Sequence, residues 1–139
     1  MSLSIRNQLP GTVTDVTPGE AMATVKVRLS GGQDLTAAIT LDAVKELGLA
    51  AGSRVTALVK STDVALATGP VGGVSIRNQL RGTVTGLASG AAMATVKVTI
   101  DGGELTAAIT SESATELGLK QDSAVTALIK STEVSLATG

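Results

Sequence analysis

Three short polar clusters recur in this chain, and each is rich in hydrogen-bond donors. Ser4-x-Arg6-Asn7 stands near the start and returns as Ser75-x-Arg77-Asn78. Lys60-Ser61-Thr62 returns as Lys130-Ser131-Thr132, and Thr40, with its counterpart Thr110, precedes a segment of helical pattern. Guanidinium, ammonium and hydroxyl groups, with neighbouring backbone N–H groups, suit a tetrahedral oxyanion. Its oxygens only accept hydrogen bonds, so cations and a helix N-terminus attract it and carboxylates repel it. The clusters are far apart in sequence and make a site only if the fold brings them together. Taken singly, each also has an ordinary reading: Arg6 or Lys60 as a solvated surface charge, Thr40 as a helix cap, Lys60-Ser61-Thr62 as a polar turn.

Composition narrows the alternatives. The 139 residues include no Cys, His, Phe, Tyr or Trp, and 11 basic residues nearly balance 12 acidic ones. Without Cys or His there is no structural zinc site, no thiol nucleophile, no disulfide and no histidine-based triad. No resident metal and no cofactor are implied. Without aromatic side chains nothing can stack nucleobases, and the balanced charge offers no field for nucleic acid or an anionic membrane. No general base stands out, so the chain reads as a binding protein and not an enzyme. No apolar run is long enough for a signal peptide or a membrane span, which predicts a cytoplasmic protein.

The elements that must position the clusters come twice. Residues 4–32 align with 75–103 at an offset of 71, and 34–69 with 104–139 at an offset of 70, with 43 of 65 aligned positions identical. One residue is lost near Gln33, and Gly52 becomes Asp122. Pro70-Val71-Gly72-Gly73 forms a link of breaker residues, giving a first module over 1–69, a linker over 70–73 and a second module over 74–139. Within a copy, Val25, Val27 and Leu29 alternate with Lys26 and Arg28 as a half-buried strand. Gly31-Gly32 reads as a hairpin turn, lacking the spacing of a phosphate loop, into a strand at Leu35–Ile39. Further strands are predicted at Thr12–Val16, Val55–Val59 and Val64–Ala67. A short helix follows Thr40 and stops at Gly48. About five strands and one helix per copy predict a mainly β chain of two tandem OB-like small barrels. Met22 and Met93, just before valine-rich strands, are expected to fill the core.

A module of this size buries only about 60% of its unfolded surface and is marginal alone. Yet 43% of the chain is hydrophobic. Burial of apolar surface between modules and between chains is therefore expected.

Taken in order, the motifs resemble the Mop domain of molbindins, small molybdate- and tungstate-binding proteins. The resemblance rests on Ser-x-Arg-Asn, the strand start at Gly11 and Val13, Leu-Thr-Ala-x-Ile-Thr, Leu-Gly-Leu at 47–49, and Lys-Ser-Thr at 60–62, and it covers the chain twice, as in tandem di-Mop members. It implies OB-like barrels, a homotrimer of two-module chains, and oxyanions held at interfaces between modules for molybdenum storage, buffering or delivery. An oxyanion-responsive regulatory or assembly module is the alternative. By motif, the implied oxyanion-binding residues are Ser4, Arg6, Thr40, Lys60 and Ser61, with Ser75, Arg77, Thr110, Lys130 and Ser131. Where many members have Val-Asn-Ala-Glu-Val, this chain has Ala21-Met22-Ala23-Thr24-Val25. It thus lacks the Asn and Glu associated with extra oxyanion sites near a threefold axis.

Overall fold

Period-two alternation governs where the side chains go. In the computed structural model, which describes residues 2–139, Ala23, Val25, Val27 and Leu29 of strand β2 (Met22–Leu29) are buried while Thr24, Lys26 and Arg28 face outward. The same parity places Met22 outside, 46% exposed, and Met93 likewise at 47%. The expectation that these methionines fill the core is therefore corrected. With Ala23 and Ala94 turned inward, the preceding residue of each strand must face out.

The first copy runs β1 (Asn7–Pro18), β2, β3 (Asp34–Thr40), α1 (Leu41–Leu47), β4 (Arg54–Val59), a 3₁₀ turn at Ser61–Asp63 and β5 (Ala65–Ala67). The second repeats it as β6 (Asn78–Ser89), β7 (Met93–Ile100), β8 (Gly103–Thr110), α2 (Ser111–Glu116), β9 (Ala124–Ile129), a 3₁₀ turn at Ser131–Glu133 and β10 (Ser135–Ala137). β1 is longer than the strand expected at Thr12–Val16. It begins at Asn7 because Leu9 and Asn7 continue its inward face and pair across to Ala57 and Val59 of β4. Thr40 caps α1, accepting from the Ala43 N–H at 3.1 Å, and Gly48 closes it with a φ of 62°.

Two curled, five-stranded antiparallel sheets result, matching two tandem OB-like modules. Their strand orders reveal an exchange: β10-β4-β1-β2-β3 in one, β5-β9-β6-β7-β8 in the other. Each sheet is completed by the last strand of the opposite copy, with Leu136 opposite Ala57 and Leu66 opposite Ala127. The turn at Ser61–Asp63 packs on β8, and the turn at Ser131–Glu133 packs on β3. The buried apolar side chains of both copies form one continuous cluster. The two modules thus reinforce each other's thin cores.

Among the described residues, Asn7 and Asn78 are the only polar residues buried as a whole, each 2% exposed. Asn7 Nδ2 donates to the Thr106 carbonyl at 2.8 Å and its Oδ1 accepts from the Thr106 N–H at 2.7 Å. Asn78 grips Thr36 with the same two distances. Each amide completes a β-like pair with one residue of the opposite module and leaves no buried donor or acceptor unmet. Gln33, at the point where the second copy loses a residue, adds an unrepeated link, bonding the Arg81 carbonyl and N–H at 3.2 Å each. Nearby, the two hairpin tips touch: a Cβ at Gly31 would overlap the Asp101 carbonyl.

Candidate functional site

The exchange decides where the donor clusters meet. Ser4 and Arg6 lie just ahead of β1, Lys60 and Ser61 just after β4, and β1 and β4 are paired neighbours with Asn7 opposite Val59. Both ends of that pair therefore open at the same edge, against β8. Ser4, Arg6, Lys60 and Ser61 line one pocket of about 260 Å³ with Ile5 and Thr62. This juxtaposition of residues more than fifty positions apart is what the anion reading requires.

The second copy brings fewer of its motif residues into one pocket. Arg77 and Ser131 line a cleft of about 730 Å³ whose remaining wall is the first module's outer face, including Thr14, Thr24, Lys26 and Thr36. Lys130 borders a neighbouring pocket of about 210 Å³ with Thr62, Asp63, Ile76 and Glu133. Ser75 is exposed two residues before Arg77. Thr40 and Thr110 are engaged as helix caps, the latter also donating to Ser113 Oγ at 2.8 Å. Within one chain they stand at the far end of β3 and β8 from these pockets.

One feature of the pockets points to a ligand. The hydroxyl oxygens of Ser61 and Ser131 are buried and have no hydrogen-bond partner. A buried hydroxyl left unpaired costs about 1–3 kcal/mol. That the same position carries it in both copies, beside an arginine each time, fits an acceptor that arrives from outside. The surrounding electrostatics are simple. The only ion pair among the described residues joins Arg28 Nε to Asp34 Oδ1 at 2.5 Å, and that hydrogen bond, then the carboxylate's charge, raises the Arg28 pKa above its ordinary value. Arg6, Arg77, Lys60 and Lys130 make no such pair, which leaves their charges available. Among the described residues no cluster of three or more His, Cys, Asp or Glu side chains could hold a metal ion, and no helix is long and apolar enough to cross a membrane.

By residue type, Asn7 and Asn78 group with the donors of the Ser-x-Arg-Asn motif. The structure gives them a different task, as the clamps that hold each Arg-bearing segment to the opposite module. The signal was present in the parity of β1, where Asn7 lies two residues before the buried Leu9.

Fold and donor set together define a class: tandem OB-like modules, interlocked by strand exchange, with polar, cation-bearing pockets where the modules meet. The chain belongs to the TOBE domain family, whose model matches residues 3–66 and 74–136. It resembles the crystal structure of the cytoplasmic molybdate-binding protein ModG with molybdate bound, at a TM-score of 0.97 and 40% identity over 100% of both chains. It is 43% identical over 136 residues to the molybdenum-pterin-binding protein MopB of Rhodobacter capsulatus, covering 96% of this chain and 50% of that protein. It is 35% identical over 139 residues to the molybdenum transport protein ModE of Herbaspirillum seropedicae, covering 99% of this chain and 52% of ModE. The chain thus spans about half the length of these curated relatives. Molybdenum-pterin-binding protein 2 of Clostridium pasteurianum matches one module, 48% identical over 64 residues and 46% of this chain, with 94% of its own length covered.

Proposed function

We propose that this chain binds molybdate or tungstate at the junctions between its modules, and serves intracellular storage, buffering or delivery of molybdenum without catalysing a reaction. The observation that carries the reading is the pair of buried, unpartnered hydroxyls, Ser61 and Ser131, each lining a pocket with an arginine of the Ser-x-Arg-Asn motif. The match to molybdate-bound ModG over the full chain supports the choice of anion. The binding set is Ser4, Arg6, Thr40, Lys60 and Ser61 with Ser75, Arg77, Thr110, Lys130 and Ser131, the two threonines contributing from a neighbouring chain. Assembly as a homotrimer would bring those caps to the pockets. It would also cover the exposed apolar side chains of Met22, Met93, Leu87 and Val74. Nucleic acid and membranes are not partners in this reading.

The test is calorimetric titration of the intact protein with molybdate, in competition with tungstate and sulfate. Arg6→Ala combined with Arg77→Ala removes one charge-assisted donor per site and is expected to weaken binding about 10- to 100-fold while the native mass of the assembly stays unchanged. No heat with molybdate and no competition by tungstate would overturn the assignment. A second reading, an oxyanion-responsive regulatory or assembly module, is favoured by the match to half of ModE. It predicts a protein partner retained only in the presence of molybdate.

A further inference from the structure

The cleft beside Arg77 and Ser131 contains more than motif residues. Its facing wall belongs to the other module: Thr14 on β1, Thr24, Lys26 and Arg28 on β2, and Asp34 and Thr36 on β3. Strand register ties that wall to the motif. Lys26 lies directly opposite Thr36, and Thr36 is the residue whose backbone Asn78 grips at 2.7 and 2.8 Å. Arg77 is the neighbour of Asn78, so the clamp between the modules also sets Lys26 beside the Arg77–Ser131 cleft. The arrangement repeats with the copies interchanged: Lys97 lies opposite Thr106, Asn7 grips Thr106, and Arg6 adjoins Asn7. Thr14 and Thr85, at the bulges of β1 and β6, donate to the carbonyls of Lys26 and Lys97 at 3.3 and 3.4 Å. The two lysines therefore hold equivalent places. Neither has an ion-pair partner among the described residues.

We propose that Lys26 and Lys97 are additional oxyanion-binding residues, each supplied by one module to the motif site of the other, and that the two sites are unequal in affinity. The inference rests on the oxyanion reading above. A free ammonium across a cleft from a buried, unpartnered hydroxyl is bridged by a dianion that accepts from both. The inequality comes from the neighbouring pair. Around the Arg77–Ser131 site, Arg28 and Asp34 neutralise each other. In the second copy their places are taken by Thr99 and Glu104, paired across β7 and β8. The exposed Glu104 carboxylate has no ion-pair partner among the described residues, so it leaves that module's outer face less attractive to an anion. The smaller pocket at Arg6 also does not extend to Lys97, which acts there at longer range. The Arg77–Ser131 site with Lys26 holds a tetrahedral dianion more tightly than the Arg6–Ser61 site with Lys97.

Molybdate titration of the intact assembly by calorimetry tests this. The wild type should resolve two affinity classes. Lys26→Gln should weaken the tighter class by about three- to tenfold, and Lys97→Gln the weaker one by less, about two- to threefold. Glu104→Gln should tighten the weaker class about threefold, a gain that damaged folding cannot produce. If the wild type takes up molybdate and both lysine variants titrate like it, the cross-module lysines are refuted while the oxyanion site stands. If the wild type shows only one class, the inequality is refuted; if it shows two and Glu104→Gln changes neither, the Glu104 carboxylate is refuted as its cause. A wild type that takes up no molybdate overturns both the inference and the reading beneath it.

Discussion

Replacing the Asn7 amide by a carboxyl isolates what the inter-module clamp contributes. In Asn7→Asp the oxygen facing the Thr106 N–H, now at 2.7 Å, can remain, while the donor 2.8 Å from the Thr106 carbonyl becomes a second acceptor. At neutral pH the variant loses one hydrogen bond, sets two oxygens against each other and buries a charge at a position 2% exposed. The expected cost is about 3–5 kcal/mol. A protonated carboxyl can again donate to the Thr106 carbonyl, so the cost should fall to about 1 kcal/mol in acid. The sign follows from linkage. Burial, and the Thr106 carbonyl oxygen it would face, raise the folded-state pKa of the new carboxyl above its unfolded value of about 3.9. The proton-dependent stability is then fully present below the unfolded value and is lost as pH rises through the raised folded one. Asn7→Ala, which leaves both Thr106 groups unmet, serves as the control, with a cost of about 2–4 kcal/mol that does not vary with pH. The assay is urea unfolding of wild type, Asn7→Asp and Asn7→Ala at pH 4 and pH 7, at one protein concentration because assembly couples to stability. A penalty for Asn7→Asp that is equal at the two pH values, or below about 1 kcal/mol at pH 7, would refute the clamp.

The strand exchange makes a less intuitive prediction. Deleting residues 135–139 at the C-terminal end should strip amide-exchange protection from β4, at Thr56–Leu58 of the first module, because β10 pairs there. Protection lost instead in β9 at Thr126–Leu128 would contradict the exchange. A third prediction concerns the turn before β9. Asp122 takes a φ of 71° where the first copy has Gly52 at 96°, a left-handed conformation that glycine adopts without steric cost. Asp122→Gly should therefore raise stability by about 0.5–1 kcal/mol, read as a melting temperature higher by about 2–4 °C. An unchanged or lower melting temperature would show that the aspartate is not strained.

Much of the local structure was legible in the residues. The alternation of Val25, Val27 and Leu29 with Lys26 and Arg28 gives the buried and exposed faces of β2 directly, since a strand turns successive side chains to opposite sides. Thr40 and Gly48 mark the ends of α1, because capping chemistry is local. Met22 is the exception: its apolar character suggests the core, but its parity with the exposed Thr24 turns it outward.

What the sequence determined by itself is thus the doubled module, its strand faces, and the donor types that make an oxyanion the fitting ligand. Those properties depend on neighbours a few residues apart or on composition. Only the tertiary structure decided that β5 and β10 cross to the opposite sheet, that Asn7 and Asn78 clamp the opposite module, and that Lys26 faces Arg77 across the junction. Two near-identical copies offer the same edge to either final strand, so local pattern cannot distinguish a closed module from an exchanged one. That choice depends on where the turns at Ser61 and Ser131 pack, which is a long-range contact.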